Sequence, residues 1–522
     1  MNDELKRPQG FVHPCAGLAS EPTVGLMRLL RRFGCVCVVS LCLPGAAHAA
    51  PVVVLGHDGR ARTIEDRFLP SAPDLPVRGA PAPTPPRAAV SRRVTVPGEL
   101  KRLLQAGAID GPTHDAHRAL YDRAAGLRRT LTGARRVELA AVVATLDRIA
   151  ATGSLTVSRL PALFVTLDRN VRWWTTGPLL ASGRRVSFAG SELVWQYYRG
   201  QGIQLQVLGS FGKLNGLWQG SAFDARLSRL LDELLALPAE RAGGLAWEYY
   251  FSFNGGRPPW VSGLAQGTAV QALARAANRL GRQAEVLPVA QRALGIFEAP
   301  PPAGVRLADG DGAHYLIYSF APRLRVLNGF AQAVIGLHDF ASDTSDPRAR
   351  ALYESGERVL RRETPAHDTG AWSLYSRGSV TRESDLGYHR LVRDFLAGLC
   401  KRTGDPAYCG ARDRFTGYLT QKPVVAVRTP RLRGGRIQAL RFALSKISRV
   451  GITASRDGRV VLSRPAFLAA RGTRFVEWAV PREAGVYDVR VTAVDLAGNV
   501  GSVTRPVEVL APKKRKRGRG RP

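Results

Sequence analysis

Four segments between residues 195 and 389 concentrate the polar and aromatic side chains that could bind or transform a ligand. They read WQYYRGQGIQ (195–204), GRPPWVSGLAQG (256–267), Tyr318 followed by VLNGF (326–330) and IGLHD (335–339), and YESG (353–356) followed by HDTG (367–370), Tyr375 and GYH (387–389). Such residue types transfer protons and hold charged ligands, although glycine-rich helix starts also serve packing alone. No CxxC or HExxH spacing occurs, so we expect neither a metal nor another cofactor.

In order and spacing these segments resemble the C-terminal domain of D-glucuronyl C5-epimerases, the family of heparan sulfate and heparosan biosynthesis. The resemblance covers roughly residues 190–421, and VLNGF and DTG…Y…YH are its most specific elements. It implies an enzyme that inverts C5 of D-glucuronyl residues within an acidic polysaccharide.

The implied reaction needs two proton-transfer groups and a positive environment. The C5 proton lies alpha to a carboxylate, so a base removes it on one face and an acid returns a proton on the other. Negative charge then accumulates on the enediolate-like carboxylate, which cations or hydrogen-bond donors must stabilise.

The resemblance places the catalytic tyrosines of the family at Tyr318, Tyr375 and Tyr388. The glutamate that precedes the first tyrosine in the family is Ile317 here, and the arginine expected three residues after the second is Gly378. An unperturbed tyrosine titrates near ~10, so the missing glutamate would have been the easier base. Glu248, Glu298 and Asp311 are candidate replacements for it.

Further residues are expected to contact the sugar. Arg377 and Arg382 lie close enough to replace the missing arginine, and His389 could transfer a proton beside Tyr388. The remaining expected substrate contacts are Trp260, Gln266, Asn328 and Glu248.

Two alternatives to the epimerase stay open. A uronate lyase shares the proton abstraction but then eliminates the leaving group. A polysaccharide-binding protein would keep the groove and lack the base, and Ile317 favours this second alternative.

The elements that must position these residues are mainly helical between residues 113 and 421. Apolar residues recur at three- and four-residue spacing in eleven stretches, among them 115–131, 136–150, 202–217, 263–280, 327–340 and 386–401. Antiparallel helix pairs must close or stack to bury their inner faces, so we expect an α/α toroid with short β segments. Tyr318 and Tyr388 fall where loops meet helix starts, at the expected rim.

Near Pro423 the periodicity changes from helical to alternating. A hairpin around Asp457-Gly458 and an alternating stretch from Tyr487 to Ala493 predict an immunoglobulin-like β-sandwich over residues 423–511. We expect this domain to be dispensable for the sugar chemistry, and residues 512–522 to form a basic, disordered tail.

The N-terminus indicates export. A basic stretch from Met27 to Arg32, an apolar run from Phe33 to Leu43 and Ala47-His48-Ala49 predict a signal peptide over residues 1–49, with Met27 as an alternative start. A β-like stretch and a proline-rich linker would follow over residues 50–112. The mature protein would be extracytoplasmic, secreted or at the cell surface, without an integral membrane segment.

Cleavage would remove four of the six cysteines and leave Cys400 and Cys409. An even pair in an oxidising compartment favours a disulfide, with two buried thiols as the alternative.

The net charge indicates which classes of partner the protein could bind. Lysine and arginine number 75 against 42 acidic residues, a net charge of +33. This excess favours an acidic polysaccharide, anionic lipid or nucleic acid, unless it reflects only an arginine-rich proteome. Export and the lack of a nucleic-acid-binding motif argue against nucleic acid. The oligomeric state is left open.

Overall fold

The structure is a computed structural model that describes residues 49–70 and 94–512. The predicted signal peptide (apart from Ala49), most of the proline-rich linker and all but Pro512 of the basic tail lie outside the described residues.

The described chain opens with a hairpin that joins the helical part. Strands β1 (Ala49–Leu55) and β2 (Ala61–Pro70) pair antiparallel, and β1 then pairs parallel with β3 (Arg185–Phe188). Strands β4 (Trp195–Tyr198) and β5 (Gly202–Leu205) complete a sheet of order β2-β1-β3-β4-β5. The β-like stretch is therefore one edge of a larger sheet, because its pairing partner lies far away in sequence.

Twelve α-helices occur in the described residues. They are α1 (Val96–Gln105), α2 (Gly111–Thr130), α3 (Gly133–Ala151), α4 (Leu160–Thr176), α5 (Val207–Trp218), α6 (Asp224–Leu235), α7 (Gly263–Leu280), α8 (Gln283–Ala293), α9 (Leu327–Thr344), α10 (Pro347–Glu363), α11 (Leu386–Thr403) and α12 (Pro406–Tyr418). Helix α1 begins inside the expected linker, where the Thr95 side chain accepts from Gly98 N and Pro97 occupies the first turn. The stretch expected as one helix over 202–217 begins instead as β5.

Short hairpins separate several helices and form the loops at one end of the helical part. They are β6 (Ala239–Arg241) with β7 (Gly244–Ala246), β8 (Arg306–Asp309) with β9 (Gly312–Tyr315), and the sheet of β10 (Leu324–Val326), β11 (Leu374–Gly378) and β12 (Arg382–Glu383).

Helices α5, α7, α9 and α11, here called the inner helices, run parallel to one another. Asn215 of α5 donates to Gln271 of α7 (3.1 Å), Gln271 donates to Asp339 of α9 (2.7 Å), and Arg402 of α11 donates to Asp339 (2.6 Å). Helices α7 and α9 approach so closely that a Cβ at Gly336 would lie 2.0 Å from the Gly267 carbonyl oxygen. The N-termini of the inner helices therefore gather at the opposite end from this network.

The C-terminal part consists of two sheets, here called the C-terminal sheets. Their strands are β13 (Val425–Val427), β14 (Arg431–Arg433), β15 (Ile437–Leu444), β16 (Ser448–Arg456), β17 (Arg459–Ala469), β18 (Gly472–Ala479), β19 (Gly485–Asp495) and β20 (Val500–Leu510). The orders are β13-β15-β18 and β14-β20-β19-β16-β17. Alternate residues of β19 are buried, and Phe442, Trp478 and Tyr487 help to form a separate apolar core. The switch to strands near Pro423 is as predicted.

Cys400 and Cys409 form a disulfide with a Cα–Cα distance of 4.9 Å, which confirms the predicted pair. The bond ties the end of α11 to the first turn of α12. Over the described residues, no helix combines the length and apolarity needed to cross a bilayer.

Candidate active site

Three partly exposed tyrosines meet at the N-terminal ends of the inner helices and are here called the tyrosine cluster. Tyr318 follows β9, Tyr375 lies on β11, and Tyr388 lies in the first turn of α11. The Tyr375 and Tyr388 ring centroids are 4.6 Å apart. Pairing of β10 with β11 brings the loop after Tyr318 beside the strand that carries Tyr375. The structure thus unites residues that are 70 positions apart in sequence.

Four aromatic residues, here called the aromatic wall, pack against this cluster: Tyr249, Phe251, Trp260 and Phe320. The buried Trp260 stacks on Tyr249 (centroids 4.3 Å apart), donates its indole N–H to the Phe251 carbonyl (2.7 Å) and meets Tyr318 edge-on at 5.7 Å. Phe320 stacks on Tyr318 at 5.4 Å. Trp260 therefore lies beneath the surface that a sugar ring would contact, and the partly exposed rings above it form that surface.

All three phenols are held in their protonated form. Burial, above all, raises the pKa of Tyr318, Tyr375 and Tyr388 above its ordinary value. The charges of neighbouring phenols add to the rise in each pKa, whereas a hydrogen bond with Tyr375 opposes it for Tyr318 and the charge of Arg382 opposes it for Tyr375 and Tyr388. At neutral pH the cluster consequently offers proton donors rather than phenolate bases.

Within the described residues, three arginines near this end, here called the unpaired arginines, have no carboxylate partner, and the charge of one of them, Arg382, acts on Tyr375 and Tyr388. Among the described residues, no acidic side chain forms an ion pair with Arg323, Arg377 or Arg382, whereas Arg325 pairs with Asp309 (2.9 Å) and Glu363. A cleft of about 610 Å³ is lined by Pro322, Arg323, Arg325, Gly378 and Ser379. The arrangement leaves positive charge available to an acidic ligand.

Residues 243–417 match the family described as D-glucuronyl C5-epimerase C-terminus. This segment belongs to that family. The match contains the whole tyrosine cluster, the aromatic wall and the unpaired arginines.

The matches to similar proteins cover only part of each chain. A D-glucuronyl C5-epimerase of Caenorhabditis elegans is 30% identical over 182 residues, which are 31% of this chain and 29% of that protein. An uncharacterised protein of Methanocaldococcus jannaschii is 26% identical over 171 residues, 31% of this chain and 54% of that protein. The matches thus span less than a third and about half of these relatives.

Among solved structures, a cellobiose 2-epimerase from Bacillus thermoamylovorans aligns over 50% of this chain and 72% of its own, with 9% identity and a TM-score of 0.33. A likeness at that TM-score carries no argument about the fold or the activity of this protein.

The two departures from the C5-epimerase pattern have structural reasons. Ile317 is buried, and a Cβ at Gly329 of α9 would lie 2.9 Å from its side chain, so a glutamate there would face apolar surroundings. Gly378 has a φ of 89°, and a Cβ there would lie 2.1 Å from the Arg323 carbonyl oxygen. An arginine at position 378 would require a different backbone.

Glu248 is not available as the replacement base. Its fully buried carboxylate pairs with Arg159 (2.7 Å) and Arg241 (2.6 Å) and accepts from the Tyr250 hydroxyl (2.9 Å). The other two candidates are also paired: Glu298 with Arg348 (2.6 Å), and Asp311 with Arg358 and Arg362 (3.3 and 3.2 Å). Each of these carboxylates therefore already has an arginine partner.

His389 is a core residue, which corrects the proton-transfer role expected for it. Its ring stacks on Trp372 at 3.7 Å, with Nδ1 at 2.8 Å from Ser373 Oγ and Nε2 at 2.9 Å from the Phe415 carbonyl oxygen. Burial lowers the pKa of His389 to about 4. Both nitrogens are therefore occupied in a neutral, buried ring.

The two amide side chains expected to contact the substrate, Gln266 and Asn328, differ in whether their polar atoms already have partners. Gln266 is fully buried and bonds both the N–H and the carbonyl of Trp247 (3.3 and 2.8 Å), so a substrate does not reach it. Asn328, in the first turn of α9, is 4% exposed, and its Oδ1 has no hydrogen-bond partner within the described chain. Asn328 remains a candidate for substrate contact.

Sequence reasoning missed Asp385. Its Oδ1 caps α11 by accepting from Tyr388 N (2.8 Å), and its charge raises the pKa of both Tyr375 and Tyr388. An aspartate directly before an amphipathic stretch is a helix-start signal, and that signal would have placed it beside Tyr388.

Proposed function

We propose that the protein is a carbohydrate epimerase that inverts C5 of a uronate residue in an acidic polysaccharide. The observation that carries this proposal is the tyrosine cluster with the unpaired Arg382 beside it, within the residues that match the C5-epimerase family. Because the matched relatives are covered only in part, substrate and activity rest on this geometry.

The acid half of the reaction follows from the protonated phenols. A tyrosine with a raised pKa keeps its proton at neutral pH and returns it to a carbanion-like C5. Arg377 and Arg382 would pair with the uronate carboxylate as its negative charge grows. The N-termini of the four inner helices add positive potential at the same end.

For the base half, we propose Asp385. It is partly exposed, it is electrostatically coupled to Tyr375 and Tyr388, and its Oδ2 makes no hydrogen bond within the described residues. A carboxylate in this place would remove the C5 proton while the phenol on the opposite face supplies one.

The remaining expectations are part of the same proposal. We propose that the helix pairs close into an α/α toroid, that the C-terminal sheets form an immunoglobulin-like sandwich, and that the protein acts outside the cytoplasm on a surface or capsular polymer. The Cys400–Cys409 disulfide supports export, because such bonds persist in oxidising compartments.

A polysaccharide-binding protein is the second candidate. The observations that favour it are the buried Ile317 in place of the family glutamate and the raised phenol pKa values, which leave no tyrosine as a ready base. Such a protein would keep the aromatic wall and the unpaired arginines.

One experiment separates the candidates. The purified protein is incubated with glucuronate polymers in heavy water, and C5 is observed by NMR. The epimerase incorporates deuterium at C5 and produces inverted centres. Binding without deuterium incorporation identifies the binding protein, and an unsaturated product identifies a lyase.

A further inference from the structure

The segment between Tyr375 and Tyr388 is held by the C-terminal sheets. Glu383, on β12, is 9% exposed, and its two carboxylate oxygens accept from the backbone N–H groups of Ile447 and Arg471, each at 2.9 Å. Ile447 directly precedes β16, and Arg471 lies in the turn between β17 and β18. One acidic side chain of the helical part thus accepts hydrogen bonds from two backbone N–H groups in the loops that join the strands of the C-terminal sheets.

Glu383 is placed where such a contact fixes the candidate active site. It pairs with Leu374 of β11, it directly follows Arg382, and Asp385 lies two residues later. Any displacement of Glu383 would therefore move the guanidinium of Arg382 and the start of α11, which carries Tyr388.

A second set of contacts holds the same segment from the C-terminal side. Lys446 is fully buried, pairs with Asp495 (2.7 Å) and donates to the Tyr418 carbonyl (2.9 Å). Its ammonium lies 5.3 Å from the ring centroid of Trp372, whose indole N–H donates to the Ser384 carbonyl (2.9 Å). Residues 383 and 384 are consequently anchored from two directions.

We infer that Glu383 is a positioning residue through which the C-terminal sheets hold Arg382 and Tyr388 in place. This inference rests on the proposed function as far as catalysis is concerned. It opposes the expectation that residues 423–511 are dispensable for the sugar chemistry.

The physical basis is the cost of unmade hydrogen bonds. A carboxylate that accepts from backbone N–H groups forms charge-assisted bonds, and its removal leaves two donors without a protein partner. Glutamine at this position keeps a carbonyl acceptor for one donor, but its amide NH₂ faces the other. The conservative variant should therefore restore part of the effect.

The test uses the full chain with Glu383→Ala and Glu383→Gln, and with Glu192→Ala as matched control. Glu192 is another buried glutamate, paired with Lys213 and Arg226 (both 2.7 Å), and it lies outside the tyrosine cluster. Amide hydrogen exchange over residues 379–388 reports positioning without reference to activity. Deuterium incorporation at C5 of a glucuronate polymer reports kcat and KM.

We expect Glu383→Ala to accelerate amide exchange over residues 379–388 at least tenfold and to lower kcat by a similar factor. Glu383→Gln should fall between Ala and the parent. Glu192→Ala should lower the melting temperature without changing exchange in this segment.

Parental exchange over residues 379–388 in Glu383→Ala, or equal loosening in Glu192→Ala, would overturn the inference. If the parent shows no C5 exchange, the proposed function fails instead. The amide exchange and the affinity for the polymer then decide the positioning inference alone, with an affinity loss in Glu383→Ala expected.

Discussion

The polar side chains at the two ends of the inner helices differ in whether the fold supplies them with hydrogen-bond and ion-pair partners. At the C-terminal end, Asp339 of α9 accepts from Arg402 (2.6 and 2.7 Å), Arg275 (2.8 Å) and Gln271 (2.7 Å), with His338 at 3.0 Å. Hydrogen bonds and charges from these neighbours hold the pKa of Asp339 far below its usual range, against the effect of burial.

At the N-terminal end, the tyrosine cluster and Arg382 have no such closed set of partners. The phenols contact one another, and within the described chain no carboxylate pairs with Arg382. The same helices thus supply a satisfied network at one end and an open polar surface at the other. Polar groups that the fold leaves open are the ones available to a ligand.

The largest expected effect comes from removing Asp339, the centre of the hydrogen-bond network at the C-terminal end of the inner helices. Asp339→Ala removes the carboxylate that pairs with Arg275 and Arg402, both of which are largely buried, and should lower the free energy of unfolding by about 3–5 kcal/mol. Urea denaturation measures this loss. Asp311→Ala, which removes an exposed ion-pair partner, should cost about 1 kcal/mol or less.

The pH dependence gives a second measure of Asp339. A carboxyl whose folded pKa is depressed stabilises the protein above its unfolded pKa, near ~3.9, and loses this contribution as pH falls towards the folded pKa. The stability difference between the parent and Asp339→Ala should therefore shrink below pH ~4. A constant difference down to pH ~2 would contradict a depressed pKa of Asp339 in the folded protein.

The second-largest expected effect tests the tyrosine cluster at the N-terminal end of the inner helices. Tyr388→Phe or Tyr318→Phe keeps the ring but removes the transferable proton, so C5 exchange should fall about a hundredfold with little change in polymer affinity. Tyr353→Phe on α10, whose ring contacts His338 at the other end, is the control. Full exchange in both cluster variants would show that these phenols transfer no proton.

The smallest effect concerns the unpaired arginines. Arg382→Ala and Arg377→Ala should weaken polymer binding about tenfold each, or roughly 1.4 kcal/mol, because each removes a charge-assisted contact. The loss should diminish as salt is added, since these side chains are at least partly exposed. Titration calorimetry measures it, with the exposed Arg449→Ala of β16 as control. Unchanged affinity in both variants would place the carboxylate elsewhere.

The sequence by itself determined most of the local structure. Helix α7 begins and ends at the predicted residues because Ser262 caps its start and Gly281 adopts the left-handed conformation at its end. The hairpin around Asp457-Gly458 and the alternation in β19 follow in the same way from local backbone preferences and the two-residue period. The tyrosines themselves were found through their ordered motifs.

Only the tertiary structure decided which polar residues are free. Glu248 and Arg159 are 89 residues apart, and Glu383 and Ile447 are 64 apart, so no local pattern reveals that these groups are partners. The same holds for the buried ring of His389 and for the parallel pairing of β1 with β3. The residue type determines which reactions and hydrogen bonds a side chain can make. Whether the side chain can make them with a ligand depends on its burial and on partners supplied by distant parts of the chain.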